Sequence, residues 1–337
     1  MTTPLRILIT GANGLIGSAL ARTLAAPDRQ PPCAVRCLVR ASSDLTSLTS
    51  IRDRIEMATG DVTDPASLIA ALAHVDVVVH CAGVLRCRDT QRYYRVNRDG
   101  ARTLAETAVA AGTVRLIISI SSQAAAGPAG DGDPRDASHT ASPVSEYGRS
   151  KLAGESEILR VTAGTRTHTV ILRPGAVYGP GDRDMFTYFK LAAAGYLPAF
   201  TRSFHIQFAY LRDVTRLVAY LATHPDRAPE GTYYVAEPRC YTLPELAAVF
   251  STVVGRTVHV LHIPGWAAHA AAISAELVAL VRGKPATFNR DKLRELQCER
   301  WTCRSETIAR YIDGFVYTPL STGATETWRW YRDHHWL

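Results

Sequence analysis

Lysine is scarce in this chain, and positive charge is not concentrated anywhere along it. The net charge of +7 comes mostly from arginine, which is spread over all 337 residues. Nucleic-acid-binding proteins more often gather such charge in a block or on one face. We therefore expect no nucleic-acid partner. The four lysines are at positions 151, 190, 284 and 292.

Patterned cysteine is also absent. The seven cysteines include no CxxC pair and no cluster with histidine at metal-binding spacing. An odd count, with no stretch resembling a secretory leader before the first apolar strand, fits reduced thiols. We predict a cytoplasmic protein without a metal site.

The chain has no long apolar run free of polar residues. The longest, residues 263–281, contains His269, Ser274 and Glu276. It predicts a buried or lid helix rather than a membrane span, and leaves a loose membrane contact open. Hydrophobic residues make up 47% of the chain and charged residues 20%, proportions that supply an ordinary globular core.

The sequence does contain a regular alternation of short apolar runs and helical segments, which predicts a doubly wound parallel α/β sheet. We expect residues 1–180 and 208–237 to form this sheet and its flanking helices. Residues 181–207 and 238–337 would form a smaller, mostly helical cap over a substrate. The predicted strands are residues 5–10, 34–39, 54–58, 75–79, 114–120, 167–173 and 231–236, and the predicted helices include 18–24, 90–111, 145–161 and 213–222.

A glycine-rich turn joins the first strand to the first helix. In residues 11–17, Gly11 permits a tight turn, Gly14 lets the backbone approach a pyrophosphate, and Gly17 lets the helix pack on the strand. The helix N-terminus then faces the phosphates. This placement is the context that a dinucleotide-binding glycine motif requires. We therefore expect residues 1–180 and 208–237 to be a dinucleotide-binding Rossmann domain.

The end of the second strand bears on the form of the cofactor. An Asp or Glu usually holds the free ribose of NAD at this place, but the sequence has Arg40, Ser42 and Ser43. A guanidinium and two hydroxyls suit a 2′-phosphate, so we favour NADP(H) over NAD(H). The alternative is that Arg40 is solvated and Asp44 or the backbone holds a bare ribose.

Tyr147 and Lys151 lie one helical turn apart at the start of a helix that Ser145 is placed to cap. A nearby cation favours the phenolate and lowers a tyrosine pKa, so the pair is a candidate general acid/base. The alternative is an ordinary surface pair. Ser121 and Ser122 end the fifth strand, where ligands of such sheets collect. Asn97 is either an amide holding a water or a backbone group near the site, or a surface residue.

The helix over residues 90–111 and the loop before it have arginines at spacings of three and four. Such spacing is typical of a solvated face. The minority interpretation is a docking patch for an acidic carrier protein or a phosphate-bearing substrate. The arginines are Arg88, Arg92, Arg95, Arg98 and Arg102.

Residues 1–240 resemble the extended short-chain dehydrogenases/reductases, and the remainder resembles them only in general architecture. The resemblance implies that Tyr147 is the acid/base, that Lys151 holds the nicotinamide ribose, that Ser122 bonds the reacting oxygen and that Asn97 belongs to a proton relay. The motifs are Thr10–Gly17, Gly60–Val62, His80–Gly83, Ser121–Ser122, Tyr147–Lys151 and Arg173–Pro180. The expected cofactor-binding residues are Gly11, Asn13, Gly14, Leu15, Ile16, Gly17, Arg40, Ser42, Ser43, Asp61, Val62, Cys81, Ala82, Gly83, Tyr147, Lys151, Pro174, Gly175 and Val177.

Two departures narrow the substrate. Family members acting on nucleotide sugars are similar to one another in having an Asn and an Arg at two positions. In this chain Ala176 takes the place of the Asn and Ile206 that of the Arg. The chain therefore looks more like the 3β-hydroxysteroid dehydrogenase/dihydroflavonol reductase branch than like the nucleotide-sugar enzymes. The resemblance implies an NADP(H)-dependent ketone reductase or alcohol dehydrogenase acting on a small, largely apolar or biosynthetic substrate, free or attached to a carrier. A monomer or homodimer is expected. A sugar epimerase/dehydratase with tightly bound NAD and a non-catalytic NADP-binding scaffold are the alternatives.

Overall fold

A seven-stranded parallel sheet forms the centre of the computed structural model, which describes residues 4–28, 30–130, 133–283 and 285–337. The strand order is β3-β2-β1-β4-β5-β6-β11, so the order reverses beside β1. In open α/β sheets such a reversal leaves a crevice at the carboxyl ends of the strands, where ligands bind. The seven strands are β1 (Leu5–Thr10), β2 (Cys33–Val39), β3 (Glu56–Thr59), β4 (Val77–His80), β5 (Leu116–Ile120), β6 (His168–Pro174) and β11 (Gly231–Val235).

Helices cover both faces of this sheet. Successive strand residues point to opposite faces, and in β1 Ile7 and Ile9 pack in one cluster while Leu8 packs in another. Both faces are therefore apolar and buried, as in doubly wound sheets. The doubly wound α/β fold predicted from the sequence is confirmed. The flanking helices are α1 (Leu15–Leu24), α2 (Pro65–Leu72), α3 (Thr90–Tyr93), α4 (Gly100–Ala111), α5 (Gln123–Ala126), α6 (Glu146–Thr162) and α8 (Leu211–Thr223).

Some element boundaries differ from the predictions. Arg54, expected to begin the third strand, ends a 3₁₀ segment (Thr46–Arg54), and β3 begins two residues later. The helix predicted over residues 90–111 is interrupted by a π-helical turn at Tyr94–Asp99. On this turn and the following helix, Arg98 and Arg102 contact Asp99 at 2.8 and 3.8 Å, as on a solvated charged face.

Most of the remaining elements build the region beside the carboxyl edge of the sheet, whereas the short helix Glu306–Ala309 packs against β11. Aromatic residues dominate the core of this region, in which Tyr178, Phe189, Tyr241 and Tyr331 are buried together. The division into two domains at the predicted residue limits stays a prediction. The strands are β7 (Ala176–Tyr178), β8 (Tyr196–Ala199), β9 (His205–Ile206), β10 (Phe208–Tyr210), β12 (Tyr241–Thr242), β13 (His259–His262) and β14 (Arg300–Trp301). The helices are α7 (Phe186–Ala193), α9 (Leu243–Val254), α10 (Gly265–Arg282), α11 (Arg290–Leu296), α12 (Glu306–Ala309) and α13 (Leu320–Asp333).

The apolar stretch 263–281 forms most of α10, whose exposed apolar side chains show that it is not the buried helix of our first alternative. In the described parts of the chain, none of the helices has the length and apolarity needed to cross a bilayer.

Candidate active site

The glycine-rich turn lies directly beneath the loop that follows β4. Gly11 has a φ of +62°, and a Cβ there would lie 2.7 Å from the backbone of Ala82. A Cβ on Gly17 would lie 2.3 Å from the Gly11 carbonyl oxygen. No described side chain caps the N-terminus of α1, where Gly14 is the N-cap. The first amides of α1 are therefore open toward the crevice and fit a phosphate group.

A cavity of about 1010 Å³ runs along this turn and into the region of α7 to α11. Of the expected cofactor-binding residues, Ser42 does not line the cavity. It is exposed, because the turn after Arg40 directs its side chain to solvent. All other expected cofactor-binding residues line the cavity: Gly11, Asn13, Gly14, Leu15, Ile16, Gly17, Arg40, Ser43, Asp61, Val62, Cys81, Ala82, Gly83, Tyr147, Lys151, Pro174, Gly175 and Val177.

The Asp44 carboxylate is hydrogen-bonded within its own turn and does not line the cavity. It accepts hydrogen bonds from the Thr46 amide at 2.9 Å and the Thr46 hydroxyl at 2.6 Å. The Thr46 hydroxyl, followed by the amide, holds the pKa of Asp44 below its usual value. Arg40 is exposed at the cavity wall. Of the two charged residues that follow β2, Arg40 therefore lines the cavity and Asp44 does not.

His80 fixes the loop that follows β4. Its Nδ1 lies 2.8 Å from Thr10 Oγ1, and the same oxygen accepts a hydrogen bond from the Ala82 amide at 3.2 Å. Burial, with a smaller contribution from Lys151, lowers the pKa of His80 to about 3. A neutral imidazole thus ties β1 and β4 together at the floor of the crevice.

Ser122, Tyr147 and Lys151 all line the same part of the cavity. Lys151 is buried, and its Nζ donates to the Ile120 carbonyl oxygen at 2.8 Å. Burial lowers the pKa of Lys151 to about 8. Ser122 Oγ accepts from the Ala124 amide at 3.1 Å, which leaves its hydroxyl proton for another acceptor. The burial of Lys151 does not fit the ordinary surface pair considered from the sequence.

The pKa of Tyr147 differs from our expectation in direction. Burial is the largest influence and raises this pKa, the Glu295 carboxylate raises it further, and a hydrogen bond with Ser122 lowers it. Desolvation of the phenolate therefore exceeds any benefit from Lys151, whose ammonium is engaged with Ile120. The prediction of a lowered Tyr147 pKa is wrong for this environment, in which the phenol keeps its proton.

Asn97 is buried behind the cavity rather than exposed on its helix. Its Oδ1 accepts from the Val84 amide at 2.8 Å, and its Nδ2 donates to the Val84 carbonyl and to Ser150 Oγ at 3.0 and 2.9 Å. Of the two interpretations left open, the amide that holds a backbone group is the one observed. The π-helical turn packs against α6 and so brings the Asn97 side chain into contact with that helix. A role in a proton relay stays a prediction.

Sequence reasoning missed a buried ion pair beneath the site. Arg173 contacts Glu155 at 2.6 Å, and Glu155 also accepts a hydrogen bond from Ser121. Glu155 lies four residues after Lys151 in α6 and raises the lysine pKa against the larger effect of burial. The i,i+4 spacing of Lys151 and Glu155 was the available signal. The pair fixes the end of β5 and β6 against α6.

A second missed contact joins α11 to the start of α6. The Asp291 carboxylate accepts from the Glu146 and Tyr147 amides at 2.9 and 3.4 Å. Ser145, the N-cap, donates to Glu295 at 2.6 Å, and Glu295 also contacts Lys292 at 2.7 Å. Because these partners lie about 145 residues apart in sequence, no local pattern indicates them.

Gln123 was also overlooked. It lines the cavity next to Ser122, and its Nε2 is buried without a hydrogen-bond partner among the described residues. A buried amide donor without an acceptor is costly unless a ligand completes it. Together with the open amides of α1, this donor indicates that the cavity fits a polar cofactor.

Comparison with known proteins is decisive for the family. Residues 7–236 match the model of the NAD dependent epimerase/dehydratase family. The chain belongs to this family. It is an NAD(P)-dependent enzyme of the short-chain dehydrogenase/reductase type, and the resemblance stated from the motifs is confirmed.

Relatives of this epimerase/dehydratase-family enzyme include reductases and dehydrogenases. The chain is 30% identical over 335 residues to a ceramide reductase of Caulobacter vibrioides (strain NA1000 / CB15N), covering 98% of this chain and 96% of the relative. It is 23% identical over 282 residues to a 3-beta-hydroxysteroid dehydrogenase of Mycolicibacterium neoaurum, covering 79% and 75% of the two chains. The crystal structure of gox2253 superimposes with a TM-score of 0.78 at 27% identity, covering 98% and 99%.

Beyond Tyr147, the cavity of this epimerase/dehydratase-family enzyme becomes an apolar chamber. Ala176 and Ile206, the two positions that depart from the nucleotide-sugar pattern, both line it. Its polar lining includes the carboxylates of Asp184 and Glu295, which both raise the pKa of Tyr147. The cations Arg86 and Lys292 also line the cavity. The other chamber residues include Leu191, Leu197, Phe200, Phe204, Phe208, Leu246, Phe250, Ile263, Phe288 and Trp301.

Proposed function

We propose that this enzyme is an NADP(H)-dependent reductase of a lipid ketone, a keto form of a ceramide-type lipid. The observation that carries the proposal is one continuous cavity, which runs from the glycine-rich turn past Ser122, Tyr147 and Lys151 into an apolar chamber. Similarity over nearly the full length to a protein named ceramide reductase supports the substrate class. An apolar wall with a few polar groups at the reacting end is typical of sites for such ligands.

The residues of the chain supply the proton and the orientation for reduction. NADPH, held by the residues of the glycine-rich turn, would supply the hydride that reduces the carbonyl carbon. Tyr147 donates its phenolic proton to the carbonyl oxygen, and its raised pKa keeps that proton in place at neutral pH. Ser122 donates a hydrogen bond to the same oxygen. Lys151, with a pKa near 8, is mostly an ammonium at pH 7 and stabilises the phenolate that forms.

The preference for NADP(H) rests on the residues after β2. Arg40 lines the cavity, whereas the Asp44 carboxylate bonds to Thr46. Ser43 remains a candidate phosphate ligand at the cavity wall, although Ser42 is directed elsewhere. A guanidinium binds a phosphate through charge-assisted hydrogen bonds, whereas the hydroxyls of a neutral ribose offer it only weaker ones.

The epimerase/dehydratase activity named in the family description is the second candidate. An enzyme of that kind returns the hydride to its substrate and needs contacts for a nucleotide diphosphate. The apolar Ala176 and Ile206 within the chamber disfavour such contacts. The scaffold alternative has no observation in its favour, since Ser122, Tyr147 and Lys151 meet in one cavity.

The direct test follows NADPH consumption by the purified chain with three substrates: a short-acyl keto-ceramide in detergent, a 3-ketosteroid and UDP-glucose. We expect one NADPH oxidised per lipid ketone and no change with UDP-glucose. Arg40→Ala should weaken NADPH binding about tenfold or more while leaving NADH binding unchanged, and Arg40→Lys should retain part of the preference.

Conversion of UDP-glucose with no net cofactor change, and no oxidation with either ketone, would establish the epimerase alternative instead. If NADH binds more tightly than NADPH in wild type and Arg40→Ala preserves that order, the phosphate assignment is wrong.

A further inference from the structure

Helix α10 presents its large apolar side chains to solvent and its small ones to the protein. Relative exposure runs from 45% for Ile273 to 88% for Val281, and Trp266 is 78% exposed. The buried residues of the helix are Ala268, Ala272 and Ala279. A helix at the surface of a globular protein normally shows the reverse arrangement.

The exposed residues form one continuous stripe. At 3.6 residues per turn, Trp266, Ile273, Leu277, Leu280 and Val281 fall on one side of α10 and the buried alanines on the other. We call these five residues the α10 stripe. Contiguous exposed apolar surface of this kind marks a site of interaction.

The stripe adjoins the mouth of the cavity. Ala268 and Ala271 of α10 line the cavity. Tyr196 and Leu261, on the paired strands β8 and β13, also line it although they are 50% and 48% exposed. The cavity therefore opens between these strands and α10, with an apolar rim that continues into the stripe.

Charge near the rim is positive. Between residues 255 and 283 the chain has two arginines, three histidines and one acidic residue. That acid, Glu276, accepts hydrogen bonds from the Arg290 amide and side chain, both at 2.9 Å. Arg282 ends α10 and is exposed. Arg256 is exposed near Gly195, the neighbour of the rim residue Tyr196.

We propose that the α10 stripe docks the enzyme on the surface of an anionic phospholipid bilayer. A helix lying in the interface buries its apolar face among the acyl chains, and flanking arginines are attracted to anionic headgroups. The rim would then open toward the bilayer, and a lipid ketone could enter without crossing water. This last step rests on the proposed function, whereas the docking itself does not.

A bilayer suits this surface better than a second copy of the chain. The stripe and the rim are continuous, so a protein seated on the stripe would stand beside or across the entrance that a substrate must use. A fluid surface buries the same apolar side chains and leaves the entrance open to its own lipids.

Sedimentation of the full chain with phosphatidylglycerol/phosphatidylcholine vesicles tests the docking. We expect wild type to bind, and to bind less when phosphatidylglycerol is omitted or salt is raised. Leu277→Glu/Val281→Glu should reduce vesicle partitioning at least about tenfold. The control is Ile69→Glu, which places a glutamate at an exposed apolar position of α2 (66%, between 59% for Leu277 and 88% for Val281) and should bind like wild type. An unchanged NADPH-induced thermal shift would show that each variant is folded.

Wild type remaining in the supernatant with anionic vesicles would overturn the docking proposal, as would equal sedimentation of the double variant. Light scattering that shows a dimer, converted to a monomer by Leu277→Glu/Val281→Glu, with no vesicle binding, would instead assign the stripe to a second copy. Because vesicle binding is measured without substrate, vesicle binding without ketone reduction would contradict only the proposed function.

Discussion

The Tyr147 phenol is surrounded by groups that oppose its ionisation. Burial and the Glu295 carboxylate raise its pKa, and the hydrogen bond from Ser122 only partly compensates. A protonated phenol is the form needed to donate a proton during ketone reduction. The site therefore keeps Tyr147 protonated as an acid, and Lys151 is placed to stabilise the phenolate that remains after the proton is donated.

Tyr147→Phe should lower turnover on the order of 10²-fold, because it removes the positioned proton donor, while cofactor affinity stays within about twofold. Steady-state kinetics and NADPH titration measure the two effects. Tyr93→Phe is the matched control, since its hydroxyl donates to the Leu85 carbonyl at 3.1 Å while its ring lies 6.2 Å from that of Tyr147. Wild-type turnover in Tyr147→Phe would remove the phenol from the mechanism.

His80 should make stability depend on pH. Its folded pKa of about 3 lies below the ordinary 6.5, so between these values the unfolded chain binds the extra proton. Its contribution is full above pH 6.5 and falls by about 1.4 kcal/mol per unit as pH drops toward 3. Urea unfolding at pH 6.5 and 5.5 should show a smaller loss for His80→Asn than for wild type. Equal losses would show that His80 does not titrate on unfolding in this range.

At the scale of elements, the start of α6 depends on α11. Asp291 supplies negative charge and hydrogen-bond acceptors at the helix N-terminus, where free amides and the helix dipole favour an anion. Tyr147 belongs to that first turn. Helix α11 therefore positions Tyr147, the proton donor, in addition to lining the apolar chamber.

Asp291→Asn should lower the free energy of unfolding by about 1 kcal/mol and reduce turnover about fivefold, which corresponds to about 1 kcal/mol in the barrier. Asp64→Ala removes an ordinary N-cap of α2, where Asp64 accepts from the Ala66 amide at 3.1 Å. It should cost similar stability with unchanged turnover. Equal turnover in both variants would show that Asp291 serves stability alone.

Over the whole molecule, the cavity joins the carboxyl edge of the sheet to α7, α9, α10 and α11. The glycine-rich turn, the loop after β4 and the start of α6 meet there because β1, β4 and β5 are neighbours in the sheet. Cofactor binding should therefore stabilise the entire chain rather than one loop.

NADPH at one hundred times its dissociation constant should raise the free energy of unfolding by about 2.7 kcal/mol. Gly17→Ala should abolish most of this increase, because its Cβ would lie 2.3 Å from the Gly11 carbonyl oxygen and would displace the turn. Denaturation with and without NADPH measures the difference. A Cβ at Gly265 would have no neighbour within 4 Å, so Gly265→Ala should keep the full increase. If Gly17→Ala also keeps the full increase, the assignment of the glycine-rich turn as the cofactor site is wrong.

Sequence alone determined the features that depend on neighbouring residues. Apolar runs alternating with helical segments gave the parallel sheet, the glycine spacing gave the turn, and the spacing of Tyr147 and Lys151 placed them on one helical face. These patterns are local, so they can be recognised without knowing what packs against them.

Tertiary structure decided the rest. The direction of the Tyr147 pKa depends on burial and on Glu295, which lies far away in sequence. The Arg173–Glu155 pair, the Asp291 cap on α6 and the exposure of the α10 stripe likewise arise only when distant segments meet or fail to meet. Desolvation and charge interactions sum over everything nearby in space, and that sum is fixed by the folded chain rather than by any short stretch of it.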